Sequence, residues 1–232
     1  MTISTNKKYI IATIKSWNID NAKRFISRNP DLKIRLITNK NGLTYQKIKK
    51  FNPRYIFLPH WSWIIPERIY SNYKCIVFHM TDLPFGRGGS PLQNLIDRGI
   101  SKTKITALRV EKTIDSGLIY LKRKLELNGS AEQIFKRASH IIFKNMIPYI
   151  IKNEPDPAPQ YGKVIKFKRR TPKQGDIANL SNEKKVYDYI RMLDAEGYPP
   201  AFIETSKLKI EFFNAKFGKN NILAKAEIRV KK

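Results

Sequence analysis

The chain has 232 residues, 41% of them hydrophobic and 11% aromatic, enough for one sizeable α/β domain or a domain with a small appendage. Its apolar runs are short and broken by lysines, which excludes a membrane-spanning helix, and the polar start (residues 1–8) lacks the apolar core of a signal peptide, so a cytoplasmic protein with no membrane partner is expected. The net charge of +26 points to an anionic partner, but the lysines are spread along the whole chain rather than gathered in one stripe, so charge alone is a weak sign of nucleic acid.

Residues 8–15 read as a buried strand through Tyr9, Ile10, Ile11, Ala12 and Ile14. Asn18 or Asp20 is placed to cap a helix through Ala22, Phe25 and Ile26, which Pro30 ends. A second strand is expected over 32–38, a turn at Asn41-Gly42, and a short helix over 44–51 that stops before Pro53. Residues 55–58 make a third strand, 64–70 a helical turn around Pro66, and 75–78 a fourth strand. Strands alternating with helices imply a Rossmann-like, mostly parallel sheet. Cys75 sits inside the fourth strand, where it reads as a small buried hydrophobe, and it has no partner for an internal disulfide.

Further on, residues 91–98 read as a helix closed by Gly99, and 105–111 and 118–125 as strands flanking an Asp115-Ser116-Gly117 turn. Ser130 and Gln133 form a capping box that opens a long amphipathic helix through Ile134, Ala138, Ile141, Ile142, Met146 and Ile150. Pro155, Pro157 and Pro159 break that pattern and mark a boundary. A catalytic domain over 1–154 and a small α+β extension over 160–232 are expected. The extension holds a basic strand (164–170), a helix (183–193) and a hairpin-like pair (201–213 and 222–230). No P-loop, G-x-G-x-x-G or G-x-S-x-G pattern occurs, and one cysteine with three scattered histidines makes a metal site unexpected.

The chemistry-bearing pattern is His79, delivered by an apolar strand into the Pro/Gly loop Leu83-Pro84-Phe85-Gly86-Arg87-Gly88-Gly89-Ser90-Pro91, followed by Asp115 in its tight turn. Strand ends at one edge of an α/β sheet are where such folds hold their sites. A histidine base positioned by a carboxylate suits acyl transfer to an amine. Asp82 reads as a helix-cap or loop-ordering carboxylate and His140 as structural.

The order His79-(x3)-Leu83-Pro84-(x2)-Arg87-Gly88-(x2)-Pro91, then Ile114-Asp115-Ser116-Gly117, resembles the formyltransferase family, which includes methionyl-tRNA formyltransferases and nucleotide-sugar N-formyltransferases. The tail from Phe167 to Arg170 and from Tyr187 to Phe202, with Gly88-Gly89-Ser90-Pro91-Leu92, is similar to the sugar branch, closest to enzymes that formylate 4-amino sugars on the pseudaminic-acid route. The resemblance implies 10-formyltetrahydrofolate as donor, the amine of a nucleotide-linked 4-amino sugar as acceptor (UDP-linked first, dTDP-linked next), and a homodimer. It implies His79 and Asp115 as the catalytic pair and a pterin slot formed by Trp61, Ser62, Trp63, Ile64, Ile65, Leu83 and Pro84. Arg87 and Gly88 would face an anion, and Lys168, Arg169 and Arg170 the pyrophosphate. The family asparagine two residues before the histidine falls on Val77, with Asn18 and His60 as candidates to replace it. The competing reading is a methionyl-tRNA formyltransferase-like or catalytically impaired tRNA-binding protein. The short extension weighs against it, so nucleic acid is not the expected partner.

Overall fold

Strand β1 (Lys8–Ala12) buries Tyr9, Ile10, Ile11 and Ala12 completely, as a central strand covered on both faces does. The computed structural model describes residues 7–219 and 221–231, and residues 1–6 of the polar start lie outside the described residues. β1 runs parallel to β2 (Lys33–Ile37) and to β3 (Tyr55–Leu58), and β4 (Cys75–His79) runs parallel to β3. A short strand, β5 (Phe85–Gly88), forms inside the Pro/Gly loop. β6 (Lys102–Arg109) returns antiparallel to β4 with Thr106 opposite His79, and β7 (Ile119–Glu126) forms the edge. The order β2-β1-β3-β4-β6-β7 is the mostly parallel, Rossmann-like sheet that the alternation of elements implies.

Helix α1 (Ser16–Ser27) starts earlier than expected, with Lys15 at its N-cap and no side-chain cap. Thr13, Ile14 and Lys15 alone link it to β1, so Asn18 lies inside the first turn, buried. Helix α2 (Tyr45–Phe51) is capped by Thr44, whose hydroxyl accepts from the Lys47 N–H, and ends at Asn52 in the left-handed region. Helix α3 (Glu67–Tyr70) begins after Pro66. One core cluster joins Ile10, Ala12, Ile37, Ile48, Ile56, Ile69 and Cys75. Burial there pushes the Cys75 thiol up to about 12, against a weaker opposing pull from Arg109, so it stays an inert hydrophobe.

Helix α4 (Pro91–Asp97) follows the Pro/Gly loop. The long helix after the Ser130–Gln133 capping box is not one regular element: α5 (Ala131–Ile141) passes through a π-helical segment, Ile142–Met146, into α6 (Ile147–Asn153). Pro148 accounts for the change of pitch. It has no N–H for the Lys144 carbonyl and its ring crowds that carbonyl in regular α geometry, which a wider turn relieves. The proline-rich stretch that follows is not a loose tether, because Ala158 and Ile119 exchange two backbone hydrogen bonds, 2.7 and 2.9 Å long.

The tail begins with β8 (Ile165–Phe167), shorter than the expected basic strand, which pairs with β5. Helix α7 (Glu183–Leu193) has the expected bounds. The hairpin-like pair resolves into three antiparallel strands, β9 (Ala201–Glu204), β10 (Leu208–Phe217) and β11 (Ile222–Val230), in the order β11-β10-β9. Thr205 divides the first expected strand: its hydroxyl accepts from the N–H groups of Lys207 and Leu208, bending the chain into a turn. Inside this part a buried ion pair joins Arg191 Nε to Asp188 Oδ1 at 2.6 Å, and Arg191 also donates to the carbonyls of Leu127 and Gly129.

The chain forms two compact units. One takes residues up to 87, 104–125 and 136–166; the other takes 88–103, 126–135 and 167 onward. No helix among the described residues is long and apolar enough to cross a membrane.

Candidate active site

His79 ends β4 and is 9% exposed. Its Nε2 lies 2.7 Å from the Gly86 carbonyl oxygen. A carbonyl only accepts, so Nε2 carries a proton in this arrangement. Nδ1 lies 3.5 Å from Asp115 Oδ2. The imidazolium therefore satisfies both contacts, whereas the neutral ring satisfies the Gly86 contact and leaves Nδ1 as an acceptor beside the carboxylate. The loop is braced below the ring: Thr81 Oγ1 donates to the same Gly86 carbonyl at 3.3 Å, and Thr106 Oγ1 donates to the Thr81 carbonyl at 2.7 Å.

Asp115 reaches His79 from a turn with φ +55, a left-handed conformation uncommon for a residue with a side chain. Ser116 closes the turn through its N–H and Oγ, both donating to the Thr113 carbonyl. Gly117 is required by close approach, since a Cβ there would collide with the Arg109 carbonyl oxygen.

A residue outside the expected set completes the arrangement. Gln160 Nε2 donates to the Asp115 and Gly117 carbonyls, 2.9 Å each, and its Oε1 accepts from Arg87 Nε and Nη2 at 3.1 and 2.7 Å. The guanidinium expected to face an anion is thus engaged with Gln160. Nothing in the sequence marks Gln160, which lies in a stretch that reads as a linker; only its place just after a proline run is visible. Asp82 has its expected loop-ordering place, bonded by Lys122 at 2.5 Å and Lys104 at 2.9 Å. Burial works against its ionisation, but the hydrogen bonds from Lys122 and Lys104 outweigh it and hold the carboxyl below the usual range.

Val77 shares a strand face with His79 by alternation and packs against the core cluster, as does Trp61. Trp61 and Trp63 meet edge to face with centroids 4.8 Å apart. Ser62 is exposed, Ile64 is 88% exposed, and Ile65 is part of the core. Leu83 is fully buried and joined to Pro84 by a cis peptide bond. His60 adopts φ +52 and packs edge-on against Trp17 at 5.9 Å; burial, with Lys15 adding to it, lowers its pKa to about 4.

In the other unit, Lys168 and Arg169 are exposed, while Arg170 pairs with Asp97 at 3.2 Å, donates to the Gln174 carbonyl and lies over the Tyr189 ring. Gly88, at φ +108, lies so close to Phe167 that a Cβ would strike its carbonyl. Among the described residues no group of three or more His, Cys, Asp or Glu side chains is placed to hold a metal.

The six-stranded mixed sheet followed by an antiparallel C-terminal sheet is the formyltransferase fold. Residues 172–229 match the family described as methionyl-tRNA formyltransferase, C-terminal domain. The chain is 54% identical to a solved structure, methionyl-tRNA formyltransferase from Clostridium thermocellum, with a TM-score of 0.95 over 97% of this chain and 100% of that one. It is 27% identical to the methionyl-tRNA formyltransferase of Sulfurihydrogenibium sp. (strain YO3AOP1), over 77% of this chain, and spans 60% of that relative's length. A sugar N-formyltransferase from Shewanella sp FDAARGOS_354 shares the fold (TM-score 0.69, over 86% of this chain and 93% of that one) at 13% identity. The chain belongs to the methionyl-tRNA formyltransferase family.

That membership overturns the sugar-branch reading. The resemblance gives the motifs around His79 and Asp115 to tRNA and sugar formyltransferases alike, so they carry no information about the acceptor. The tail, whose shortness weighed against a tRNA formyltransferase, is itself matched by that family's C-terminal domain. The nucleotide-sugar partner, the pyrophosphate role of Lys168, Arg169 and Arg170, and the expectation against nucleic acid are all withdrawn.

Proposed function

We propose that the protein transfers a formyl group from 10-formyltetrahydrofolate to the amine of methionyl-tRNA. The observation that carries this reading is the 54% identity, sustained from end to end, with the Clostridium thermocellum enzyme. The net charge of +26 supports a polyanionic acceptor.

The donor supplies an electrophilic formyl carbon. The neutral amine attacks that carbon, and the nitrogen sheds a proton as the new C–N bond forms. His79 takes this proton at Nδ1, while the Gly86 carbonyl holds Nε2–H and fixes the ring. Asp115 stabilises the resulting imidazolium. The proton then leaves with the departing folate nitrogen as its bond to carbon breaks. Trp61 and Trp63, with exposed Ser62 and Ile64 next to them in the chain, offer flat aromatic surface for a pterin ring, whereas the side chains of Leu83 and Pro84 are buried and stay out of it. Ile65 belongs to the core and Arg170 to an internal ion pair, so neither is part of this proposal. Holding amine and formyl group together contributes much of the rate.

The test offers the purified chain 10-formyltetrahydrofolate and methionyl-tRNA, releases the amino acid and measures formylmethionine by mass spectrometry, with His79→Ala as control. Formylmethionine that disappears in the control supports the reading. Its absence from the wild-type reaction, with tRNA bound or not, overturns it.

A further inference from the structure

We propose that Gln160, oriented by Arg87, is a positioning residue that holds the Asp115 turn in register with His79. This rests on the proposed function for its kinetic consequence but on the hydrogen bonds alone for its structural one.

The reasoning starts from the turn. Asp115 stands in the left-handed region and its neighbour Ile114 is 65% exposed, so little packing holds the segment from outside. A carboxylate that must meet a nearly buried imidazole needs its backbone fixed. Gln160 supplies that restraint by donating to the carbonyls on both sides of Ser116. An amide is the side-chain group that can do this and still accept on its other atom. Its single oxygen accepts from both Nε and Nη2 of the Arg87 guanidinium, which sets the amide's orientation and turns its N–H groups toward the Asp115 turn. Arg87 follows Gly86, whose carbonyl holds His79 Nε2. One relay therefore runs from the backbone that holds the histidine, through Arg87 and Gln160, to the backbone that holds the aspartate. Gln160 touches no reacting atom in this scheme and acts through Asp115.

The experiment compares Gln160→Ala, Gln160→Glu, Arg87→Ala, Asp115→Asn and the Gln160→Ala/Asp115→Asn double variant. Gln160→Glu keeps the contact with Arg87 as an ion pair but sets a carboxylate oxygen against two carbonyls, so it separates folding from positioning. The expected result is that kcat falls about 100-fold in Gln160→Ala and Gln160→Glu, the scale set by a displacement of about 1 Å. KM for donor and acceptor should stay within about twofold. In the Asp115→Asn background, Gln160→Ala should cause no further loss, because its effect passes through the carboxylate already removed. Hydrogen–deuterium exchange over residues 111–120 should speed up in both Gln160 variants.

Losses that multiply in the double variant would overturn the proposal. So would a raised KM at unchanged kcat in Arg87→Ala, which would make Arg87 an anion ligand instead. If the wild-type chain formylates no methionyl-tRNA, the proposed function fails. The exchange measurement then still decides whether Gln160 holds the turn, and unchanged exchange sinks that too.

Discussion

Lys122 donates to Asp82 Oδ1 and to the Leu83 carbonyl, 2.5 Å in each case, so one ammonium group clamps the backbone between His79 and Pro84. Lys122→Met removes both bonds and leaves Lys104 as the remaining cation on Asp82. The expected outcome is a raised KM for the folate donor with a smaller change in kcat, read from initial rates at saturating methionyl-tRNA. The same carboxylate contributes to acid stability. Its folded pKa is held below the unfolded value, so its stabilisation is present above about pH 4 and is lost as pH falls through the folded pKa. Asp82→Asn should flatten that part of the stability curve, measured by urea unfolding between pH 5 and pH 3.

His60 gives a second pH dependence, over a different range. Its pKa of about 4 in the folded chain lies below the usual histidine value, so the unfolded chain binds the extra proton first. Stability from this group is full above about pH 6.5 and is lost as pH falls toward 4, amounting to roughly 3 kcal/mol there. His60→Asn tolerates the left-handed backbone and does not titrate. It should remove the decline between pH 6.5 and pH 4.

Gly117→Ala should cost about 1–3 kcal/mol, because the added methyl meets the Arg109 carbonyl, which the β6 ladder holds in place. Since the displaced peptide is one that Gln160 binds, kcat should fall by more than the loss of folded protein explains. Thermal melts alongside rates at a temperature where the variant is fully folded would separate the two.

Asp188→Ala should destabilise by about 3–5 kcal/mol, since it strips the counter-charge from Arg191, whose guanidinium is buried. The matched change of both residues to apolar ones should cost less than the single change. Chemical denaturation of these two variants beside the wild type checks this.

Periodic segments were legible in the sequence because their burial is continuous. α7 reads out at its true ends, and β1, β3 and β4 show as apolar runs. His79 and Asp115 were legible as a pair because strand ends project residues to one edge of the sheet. The π segment was not, since its apolar spacing differs little from that of a helix, and only Pro148 hints at the change. β5 was hidden because glycines and prolines read as loop even where they pair. Gln160 was invisible for a related reason: its role comes from tertiary hydrogen bonds, and a side-chain amide leaves no periodic signal. The acceptor was misread because the residues that resemble the family most strongly, around His79, carry the same resemblance for its tRNA and sugar branches.

The two bonds between Ala158 and Ile119 bear on how the protein can be dissected. Proline-rich stretches are natural places to cut, and a fragment stopped at residue 154 would keep His79 and Asp115. It would nonetheless lose the added backbone partner of β7 and the amide that ties down the Asp115 turn. A separately expressed core must therefore run past the prolines to keep Gln160, and a chimera joined earlier would inherit His79 and Asp115 without the side chain that holds the turn between them.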